Sequence, residues 1–276
     1  GLFGYPVEHS LSPAMHNDAF QELGLNHVYL PFSVDPDNLE EAVAGVRGLN
    51  IAGVNVTIPH KQEVIPFLDD LSEEAELIGA VNTIVNQKGT LTGHNTDGRG
   101  FIRSLKEETD FAATEGKALL IGAGGAARAI AFQLALAGIE ELVISDLDSA
   151  KAENLSDEID KNLDLEVRAV EQEEVDDLIA ELDLLVDATP VGMHPHVDVD
   201  PVVSAEVMHD ELIVYDVVYN PRETVLLQAA QEAGAQAVSG LGMLLYQGVI
   251  AFEIWTGEEA PVEVMRSALE AGIYED

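Results

Sequence analysis

The sequence predicts an α/β protein in which a doubly wound domain follows a smaller α/β domain. From Lys117 to about Ser239, nearly all-apolar segments alternate with helical ones, as is typical of a parallel sheet covered on both faces. Shorter helices and strands alternate before that stretch, and apolar helical segments follow it. We therefore expect an amino-terminal α/β domain over residues 1–98, a doubly wound domain over 99–239, and carboxyl-terminal helices over 240–276 that return to the first domain.

Start and stop signals mark the elements of the first domain. The segment SLSPAMHNDAFQELG has Ser and Pro at positions that favour a helix start, and it ends on Gly24. The segments HVYLPFSV and IAGVNVTI each predict a strand, and a helix beginning with Asp35 and Pro36 separates them. A capped helix in SEEAELIGA precedes AVNTIVNQKGTLTGHNTD, in which Lys88 and Gly89 predict the turn of a hairpin.

The second domain opens with KALLIGAGGAARAIAFQLALAG, which predicts an apolar strand, a glycine turn and a long apolar helix. The segments ELVISDLD, LDLLVDATPVGM and ELIVYDVVYN predict three further strands, separated by helical segments. In open sheets of this kind, ligands bind at the carboxyl ends of the strands. The residues that follow each strand are therefore the first candidates for a binding site.

Composition excludes several classes of protein. The chain has 276 residues, of which 47% are hydrophobic, so it can form one large or two modest packed domains and is not expected to be disordered. It contains no cysteine, which excludes disulfides and thiolate metal sites, and the histidines lack the spacing of a metal site. No apolar run reaches the roughly 18 residues that span a bilayer, and no signal-peptide pattern opens the chain. We therefore expect a soluble, cytoplasmic protein.

The acidic balance is the strongest compositional signal. Asp and Glu total 51 against 13 Lys and Arg, which gives a formal net charge of −38. Such a surface repels nucleic acid and anionic membranes, so neither is expected as a partner. The acidic residues are spread along the chain, and high salt screens their mutual repulsion. We therefore expect a halophilic protein from a high-salt cytoplasm, with an ordinary acidic protein as the alternative.

The glycine turn has the spacing of a dinucleotide-binding loop. In IGAGGAAR, Gly122, Gly124 and Ala127 form a G-x-G-x-x-A pattern that follows a strand and opens a helix. Gly122 permits a tight turn, Gly124 lets the backbone approach a pyrophosphate, and the amides at the helix start hold phosphates. A purely structural turn is the alternative. We predict a Rossmann-like NAD(P) site formed by Gly122, Ala123, Gly124, Gly125 and Ala126.

The end of the second strand of this domain bears on the choice of nucleotide. In ISDLDSAK, Asp146 would accept hydrogen bonds from ribose hydroxyls and repel a 2′-phosphate, and Asp148 adds to that repulsion. Lys151 is the one basic residue nearby. We count Asp146 and Lys151 among the cofactor-binding residues, and they favour NAD over NADP unless Asp146 points into solvent.

Polar side chains interrupt apolar segments in the first domain. Lys61 follows the strand in GVNVTIPHKQ, which itself contains Asn55 and Thr57. GAVNT supplies Asn82, and NTDG supplies Asp97 in a glycine-framed turn. Because buried polar groups need partners, these residues predict a site for a polyhydroxy ligand. A lysine in such a site can protonate the alkoxide formed when a ketone is reduced, and a neighbouring carboxylate can orient it. A solvated surface lysine is the alternative.

Six motifs together resemble those of the shikimate dehydrogenase family: EHSLSPAMHN, NVTIPHK, GAVNT, NTDG, GAGGAAR and GLGMLLYQG. They occur in the family's order and span nearly the whole chain. The resemblance implies a substrate domain, a nucleotide domain and carboxyl-terminal helices that return to the former. It also implies reversible, NADP-dependent reduction of 3-dehydroshikimate to shikimate, a step of chorismate and aromatic amino acid biosynthesis. We expect a monomer or a homodimer.

The resemblance assigns roles residue by residue. Lys61 and Asp97 match the catalytic pair and also contact the substrate, and Ser10 and Ser12 match the pair that holds the substrate carboxylate. The other matched substrate-binding residues are Thr57, Asn82, Tyr219 and Gln247, and the matched cofactor-binding residues are Val217, Gly240 and Glu73. Helix capping is the alternative for the two serines, and a place on the helix surface is the alternative for the glutamine.

One stretch departs from the family pattern. Members that use NADP carry an Asn-Arg-Thr run where this chain has Asp146, Leu147 and Asp148, so the arginine that meets the 2′-phosphate is missing. NADP is thus implied by the resemblance, whereas NAD is favoured by the local residues. An NAD-dependent quinate/shikimate dehydrogenase is the nearest alternative, although the serine pair favours shikimate. A non-catalytic regulator that binds a nucleotide or metabolite is the alternative from another class, and the intact lysine–aspartate pair argues against it.

Overall fold

The computed structural model describes residues 1–163 and 165–274, and the chain divides into two compact units. The first unit comprises Gly1–Gly100 and the chain from Leu245 onward, and the second comprises Phe101–Leu244. Each unit is built around a sheet of six strands among the described residues. None of the helices in this part of the chain has the length and apolar content that a membrane span requires.

The first unit is built on a mixed sheet. Its strands are β1 (Leu2–Gly4), β2 (Pro31–Ser33), β3 (Gly53–Val56), β4 (Asp70–Leu71), β5 (Thr83–Gln87) and β6 (Thr90–His94). They lie in the order β2-β1-β3-β5-β6-β4. β1 pairs parallel with β2 and β3, whereas β5 pairs antiparallel with β3 and β6. The end of β3 therefore lies beside the beginning of β5, with Asn55 opposite Thr83.

The hairpin predicted at Lys88 and Gly89 is present between β5 and β6. Both turn residues have positive φ, 58° for Lys88 and 95° for Gly89, and Gln87 pairs with Thr90 across the turn. Two-residue turns with two positive φ angles match the right-handed twist of the strands that they join. The turn sets the register of β6, whose last residue, His94, lies three positions before Asp97.

One predicted strand of the first unit is largely wrong. The segment HVYLPFSV forms a strand only over Pro31–Ser33. Upstream, the Asn17 side chain donates to the carbonyl of Tyr29 at 2.9 Å and accepts from its N–H at 2.8 Å. Because a side chain takes both backbone groups of Tyr29, they are not available to a strand ladder.

Four α-helices begin within the described residues 1–100. They are α1 (Ser12–Glu22), α2 (Leu39–Gly48), α3 (Glu73–Ile78) and α4 (Asp97–Glu108). Residues of α2 and α3 pack in one core with strands of the first unit. The predicted start signals hold at two of these helices. The Asp35 carboxylate accepts from Asp37 N–H just before α2, and the Ser72 hydroxyl accepts from Ala75 N–H in the first turn of α3.

The second unit contains the predicted parallel sheet. Its strands are β7 (Lys117–Ile121), β8 (Glu141–Ser145), β9 (Val167–Val170), β10 (Leu184–Asp187), β11 (Ile213–Asp216) and β12 (Gln236–Ser239), in the order β12-β11-β10-β7-β8-β9. All the pairings are parallel. β9 and β12 were not predicted, because each has four residues and includes polar ones (VRAV and QAVS).

α-Helices connect these strands except β10 and β11, and two more α-helices follow β12 in the described part of the chain. They are α5 (Gly125–Leu136), α6 (Ser149–Leu163), α7 (Val175–Leu178), α8 (Val225–Ala233), α9 (Leu241–Thr256) and α10 (Val262–Tyr274). The helical segment predicted between β10 and β11 is wrong, and that described stretch forms only the 3-10 helix Ala205–Val207. α10 packs against α1, so the carboxyl-terminal helix returns to the first unit as expected. In the second unit, β8 and β10 flank β7, and the strand order reverses there. This is the switch point at which open α/β sheets bind ligands.

Candidate active site

Lys61 and Asp97 form a largely buried ion pair in the first unit. Lys61 Nζ lies 2.6 Å from Asp97 Oδ2, and only 14% and 7% of the two side chains are exposed. The Lys61 carbonyl accepts from Val81 N–H at 2.7 Å, which fixes the turn that carries the lysine. A contact of this length between charged groups is a strong, charge-assisted hydrogen bond. The alternative of a solvated surface lysine is therefore excluded by the geometry.

Asp97 is the first residue of α4 and not part of an isolated turn, which corrects the sequence-based expectation. Its backbone N–H donates to Asn95 Oδ1 at 3.1 Å. The amino end of a helix carries a partial positive charge that stabilises a carboxylate. The helix start and Lys61 thus act on the same acidic group.

Asn82 joins the ion pair to its surroundings. Its Nδ2 donates to Asp97 Oδ1 at 2.8 Å and to Thr96 Oγ1 at 2.9 Å, and it lies 3.4 Å from Gln247 Oε1. Its Oδ1 accepts from Thr96 N–H at 2.8 Å. Gln247 is buried on α9, with 9% of the residue exposed, so the alternative of a helix-surface glutamine is wrong. The structure therefore brings together four of the predicted site residues: Lys61, Asn82, Asp97 and Gln247.

The serine pair lies at the start of α1. Ser12 is its first residue and is buried, and its N–H donates to Ser10 Oγ over a long 3.3 Å. Leu11 is the N-cap residue, and no side chain caps the helix there. The capping alternative is therefore not supported for Ser12, whereas the Ser10 hydroxyl does accept the first N–H of α1. Thr57 follows β3 and is half-buried, and its methyl group lies against Gly4.

The glycine loop of the second unit has the geometry of a phosphate-binding turn. Gly122 has a φ of 106°, and a Cβ there would lie 3.2 Å from the backbone of Ala188, so the position favours glycine. A Cβ at Gly124 would meet no protein atom within 4 Å, and Gly124 is the N-cap of α5. Because the N-cap residue is glycine, it has no side chain that could accept from the amides of Gly125 and Ala126. These N–H groups at the helix start can therefore bind an anion.

Asp146 is bound to this loop and does not point freely into solvent. Its Oδ2 accepts from Ala123 N–H at 2.7 Å, and its Oδ1 accepts from Asp148 N–H at 2.9 Å. Lys151 lies 3.8 Å from the Asp148 carboxylate, and more than half of each side chain is exposed. The cationic end of Lys151 is thus already beside a carboxylate, which weakens any attraction for a second phosphate.

The four remaining predicted residues are Val217, Gly240, Tyr219 and Glu73. A Cβ on Gly240 would approach the Val217 carbonyl oxygen to 2.0 Å, so only glycine fits between β12 and α9. Tyr219 belongs to the second unit and is half-buried, and burial raises its pKa. Glu73 is the exposed first residue of α3 in the first unit. Their roles toward ligands stay predictions. The described residues contain no cluster of side chains suited to a metal ion.

Three family models match the chain. They are the shikimate dehydrogenase substrate binding domain over residues 2–84, shikimate / quinate 5-dehydrogenase over 105–226, and the shikimate 5′-dehydrogenase C-terminal domain over 240–270. A shikimate dehydrogenase (NADP(+)) of Methanopyrus kandleri is 55% identical over 271 residues, which are 98% of this chain and 93% of the relative. The chain belongs to the shikimate dehydrogenase family.

Solved structures of shikimate dehydrogenases have the same fold. The crystal structure of one in complex with NADP+ is similar with a TM-score of 0.94 and 46% identity, covering 99% of this chain and 94% of that one. The structure of shikimate 5-dehydrogenase from Listeria monocytogenes in complex with shikimate and NAD has a TM-score of 0.90 and 45% identity, covering 98% and 95%. Both nicotinamide nucleotides thus occur in close structural relatives.

Sequence reasoning missed part of the polar framework of this shikimate dehydrogenase family member. Tyr29 and Thr83 are buried and hydrogen-bonded to Asn55 or to Asn82, but both lie in segments that predict ordinary strands. The only indication in the sequence was the polar Asn55 within an apolar strand, because a buried amide requires hydrogen-bond partners. In the second unit, Asp187 and Asp216 each end an apolar strand and are buried. An acidic residue directly after a run such as LLV was the available signal.

Proposed function

We propose that this protein is a shikimate dehydrogenase that catalyses the reversible, NAD(P)-dependent interconversion of shikimate and 3-dehydroshikimate. The 2.6 Å contact between Lys61 Nζ and Asp97 Oδ2, within a set of buried amide and hydroxyl groups, is the observation that carries the proposal. A buried ammonium held by a carboxylate is suited to proton transfer at an alcohol or ketone oxygen. A regulator that only binds ligands transfers no proton and therefore does not require this ion pair.

The chain's own residues handle the proton in this reaction. A nicotinamide nucleotide, when bound, would supply the exchange of hydride with the carbinol carbon of shikimate. Lys61 Nζ, as the free amine, takes the hydroxyl proton during oxidation, and as the ammonium it gives that proton to the developing alkoxide during reduction. Asp97 holds Nζ in position through its Oδ2, while Asn82 fixes Oδ1.

The first unit supplies groups of the types that shikimate requires. Shikimate carries one carboxylate and several hydroxyls, which call for hydroxyl donors and for amide groups that donate and accept. We assign the carboxylate to Ser10 and Ser12, and the ring hydroxyls to Thr57, Asn82 and Gln247. Tyr219 is assigned to the carboxylate by the family pattern alone.

We propose that the second unit holds the nucleotide. The amides that follow Gly124 at the start of α5 would bind the pyrophosphate, and Asp146 would lie at the adenosine ribose. Relatives named as NADP(+) enzymes support NADP. The carboxylate of Asp146 and the exposed Leu147, at 87%, in place of the family's arginine support the use of NAD as well. Lys151, Val217, Gly240 and Glu73 complete the proposed cofactor residues.

Initial rates with four substrate pairs test the proposed function. Shikimate and quinate are each supplied with NAD and with NADP, and absorbance is followed at roughly 340 nm. The assay contains roughly 2–3 M KCl, because the repulsion between charged groups is strongly screened at such concentrations. We expect the highest kcat/KM for shikimate. A higher value for quinate would favour the quinate/shikimate dehydrogenase alternative. No turnover with any pair, together with measurable nucleotide binding, would favour the regulator.

We further propose that the protein works in a salt-rich cytoplasm. The support is the formal net charge of −38, carried by residues distributed along the whole chain. Self-repulsion of such a charge opposes the compact state unless salt screens it, and at 1 M salt the Debye length is only about 3 Å. The dependence of stability on KCl, described in the Discussion, is the test.

A further inference from the structure

A second set of buried polar side chains leads from Tyr29 toward the ion pair. The Tyr29 hydroxyl donates to Asn55 Oδ1 at 2.7 Å, and Asn55 Nδ2 donates to Thr83 Oγ1 at 3.0 Å. The Thr83 hydroxyl donates to Asn82 Oδ1 at 3.1 Å, and Asn82 Nδ2 donates to Asp97 Oδ1. Tyr29, Asn55 and Thr83 have exposures of 1%, 5% and 0%, so water does not compete for these bonds.

The donor and acceptor roles along this chain of bonds allow one arrangement. Asn55 Nδ2 also donates to the backbone carbonyl of Asn82 at 3.1 Å, and a carbonyl can only accept. The Asn55 amide is therefore fixed with Oδ1 toward Tyr29, which must donate. Thr83 Oγ1 accepts from Asn55 and so gives its own proton to Asn82 Oδ1. The amide group of Asn82 is left with its N–H bonds toward Asp97.

Tyr29 is a rigid starting point for this chain of bonds. The Asn17 side chain holds both backbone groups of Tyr29. The His16 ring stacks on the phenol with centroids 4.5 Å apart and planes 12° apart. His16 is fully buried, neither of its ring nitrogens has a partner among the described residues, and burial lowers its pKa to about 3, so the ring is neutral. Burial raises the pKa of Tyr29, so its proton stays available for donation.

We propose that Tyr29, Asn55 and Thr83 are positioning residues for the catalytic ion pair. Together with the Thr96 N–H, they hold the Asn82 amide in the orientation that places N–H bonds on Asp97 Oδ1, and Asp97 in turn holds Lys61 Nζ through Oδ2. Asn55 and Thr83 act through Asn82, whereas the Tyr29 hydroxyl also bonds the side chain of Ser12, which is assigned to the substrate carboxylate. The inference rests on the proposed function, since it assigns these residues a role in the same proton transfer.

A purely structural role predicts a different result from a positioning role. If the bonds only stabilise the fold, their loss lowers the melting temperature and leaves the turnover of the folded enzyme unchanged. If they position the ion pair, their loss lowers kcat. Loss of the Thr83 hydroxyl leaves the KM for shikimate little changed, because the groups assigned to the substrate remain, whereas loss of the Tyr29 hydroxyl also removes a bond to Ser12.

Three variants and one control separate these cases. Tyr29→Phe and Thr83→Val each remove one hydroxyl from the chain of bonds, whereas Thr83→Ser keeps it. Tyr215→Phe is the matched control, because Tyr215 is also fully buried and its hydroxyl bonds Ser104 Oγ at 2.8 Å within the second unit. For each variant, kcat, KM for shikimate and the melting temperature are measured under the same salt conditions.

We expect kcat to fall about three- to tenfold in Tyr29→Phe and Thr83→Val, the range that one neutral hydrogen bond supplies. Thr83→Ser should restore kcat to within about twofold of the native value, and Tyr215→Phe should lower the melting temperature without changing kcat. Native kcat in both Tyr29→Phe and Thr83→Val, with melting temperatures lowered as in the control, would overturn the proposal.

A readout that needs no substrate keeps this test separate from the proposed function. The side-chain amide protons of Asn82 are buried and bonded, so we expect slow hydrogen exchange by NMR in the native protein. Exchange should accelerate in Tyr29→Phe and Thr83→Val and stay slow in Tyr215→Phe. If the native protein lacks turnover, the proposed function is wrong. The exchange rates still show whether Tyr29 and Thr83 hold the Asn82 amide in place. Native exchange rates of the Asn82 amide in both Tyr29→Phe and Thr83→Val would contradict the positioning role.

Discussion

Asp187 and Asp216 lie directly opposite each other on adjacent parallel strands, and both are buried, with exposures of 1% and 0%. Asp187 Oδ1 accepts from Thr189 N–H, and Asp216 accepts from Val218 N–H and from the Thr224 hydroxyl. Burial and the neighbouring Asp216 charge raise the pKa of Asp187 to about 7, and burial raises that of Asp216 to about 6. Two buried carboxyl groups thus lie side by side at the carboxyl ends of β10 and β11, where ionisation of both is unfavourable.

This arrangement predicts that Asp187→Asn stabilises the protein at alkaline pH. The folded-state pKa lies above the value of about 3.9 for an unfolded aspartate, so the stabilising contribution of the protonated carboxyl is complete below about pH 4 and is lost as pH rises through about 7. Asparagine keeps the Oδ1 acceptor without the charge. We expect Asp187→Asn to raise the free energy of unfolding in urea by roughly 1–3 kcal/mol more at pH 8 than at pH 5, where only part of the ionisation penalty is present.

Asp183→Asn is the matched control for this prediction. Asp183 precedes β10, the strand that Asp187 ends, and also accepts a backbone N–H, that of Lys117 at 2.8 Å, but it is exposed. We expect the difference in unfolding free energy between pH 5 and pH 8 to be unchanged in Asp183→Asn and reduced in Asp187→Asn. Equal pH dependence in both variants would show that the buried carboxyl does not titrate in this range.

Leu147→Arg should shift cofactor preference toward NADP. Leu147 is 87% exposed beside Asp146 and matches, by the resemblance alone, an arginine of the family pattern, so we expect a longer side chain to meet no packing constraint. A guanidinium can bind a 2′-phosphate through charge-assisted hydrogen bonds, which we expect to raise the NADP-to-NAD ratio of kcat/KM about tenfold.

Leu136→Arg controls for the added positive charge alone. Leu136 is also exposed, at 50%, and is the last residue of α5 in the same unit. The ratio should be unchanged in this variant. If both substitutions raise it equally, a general charge effect, and not the position beside Asp146, is responsible.

Stability should rise with KCl concentration. The net charge of −38 opposes folding most strongly at low salt, and molar salt shortens the range of that repulsion to about 3 Å. We expect the melting temperature to increase continuously between 0.1 and 3 M KCl, on the order of ten degrees or more. Sucrose at matched osmolality should give a smaller rise. A melting temperature indifferent to KCl would remove the high-salt proposal.

The sequence predicted those features whose physical cause is local. The glycine loop was predictable because Gly122 has a backbone conformation that other residues rarely adopt, and the hairpin turn because Gly89 suits a positive φ. The truncated strand before Pro31 was not predictable, because Asn17 captures the backbone of Tyr29 across the tertiary fold. The start of α4 at Asp97 was missed because the residues NTDG are typical of a turn. In the structure, the Asp97 N–H donates to Asn95 at the first residue of the helix.

Within the candidate site, motif order identified the residues but not their connections. Lys61, Asn82, Asp97 and Gln247 were predicted individually, and only the structure shows that Asn82 bridges the carboxylate and the glutamine. The partner of a buried amide depends on strand register, as with Asn55 opposite Thr83. Register between strands 28 residues apart is set by the whole sheet and cannot be derived from either segment alone.

Turnover of shikimate by Lys61→Ala tests the central claim most directly. We predict that this variant keeps its fold and binds shikimate within several-fold of the native protein by calorimetry, but that kcat falls by a factor on the order of 10² to 10⁴ because no group moves the hydroxyl proton. Lys106→Ala, which removes an exposed lysine from α4, should keep native kcat. Near-native kcat in Lys61→Ala would contradict the assignment of proton transfer to the Lys61–Asp97 pair.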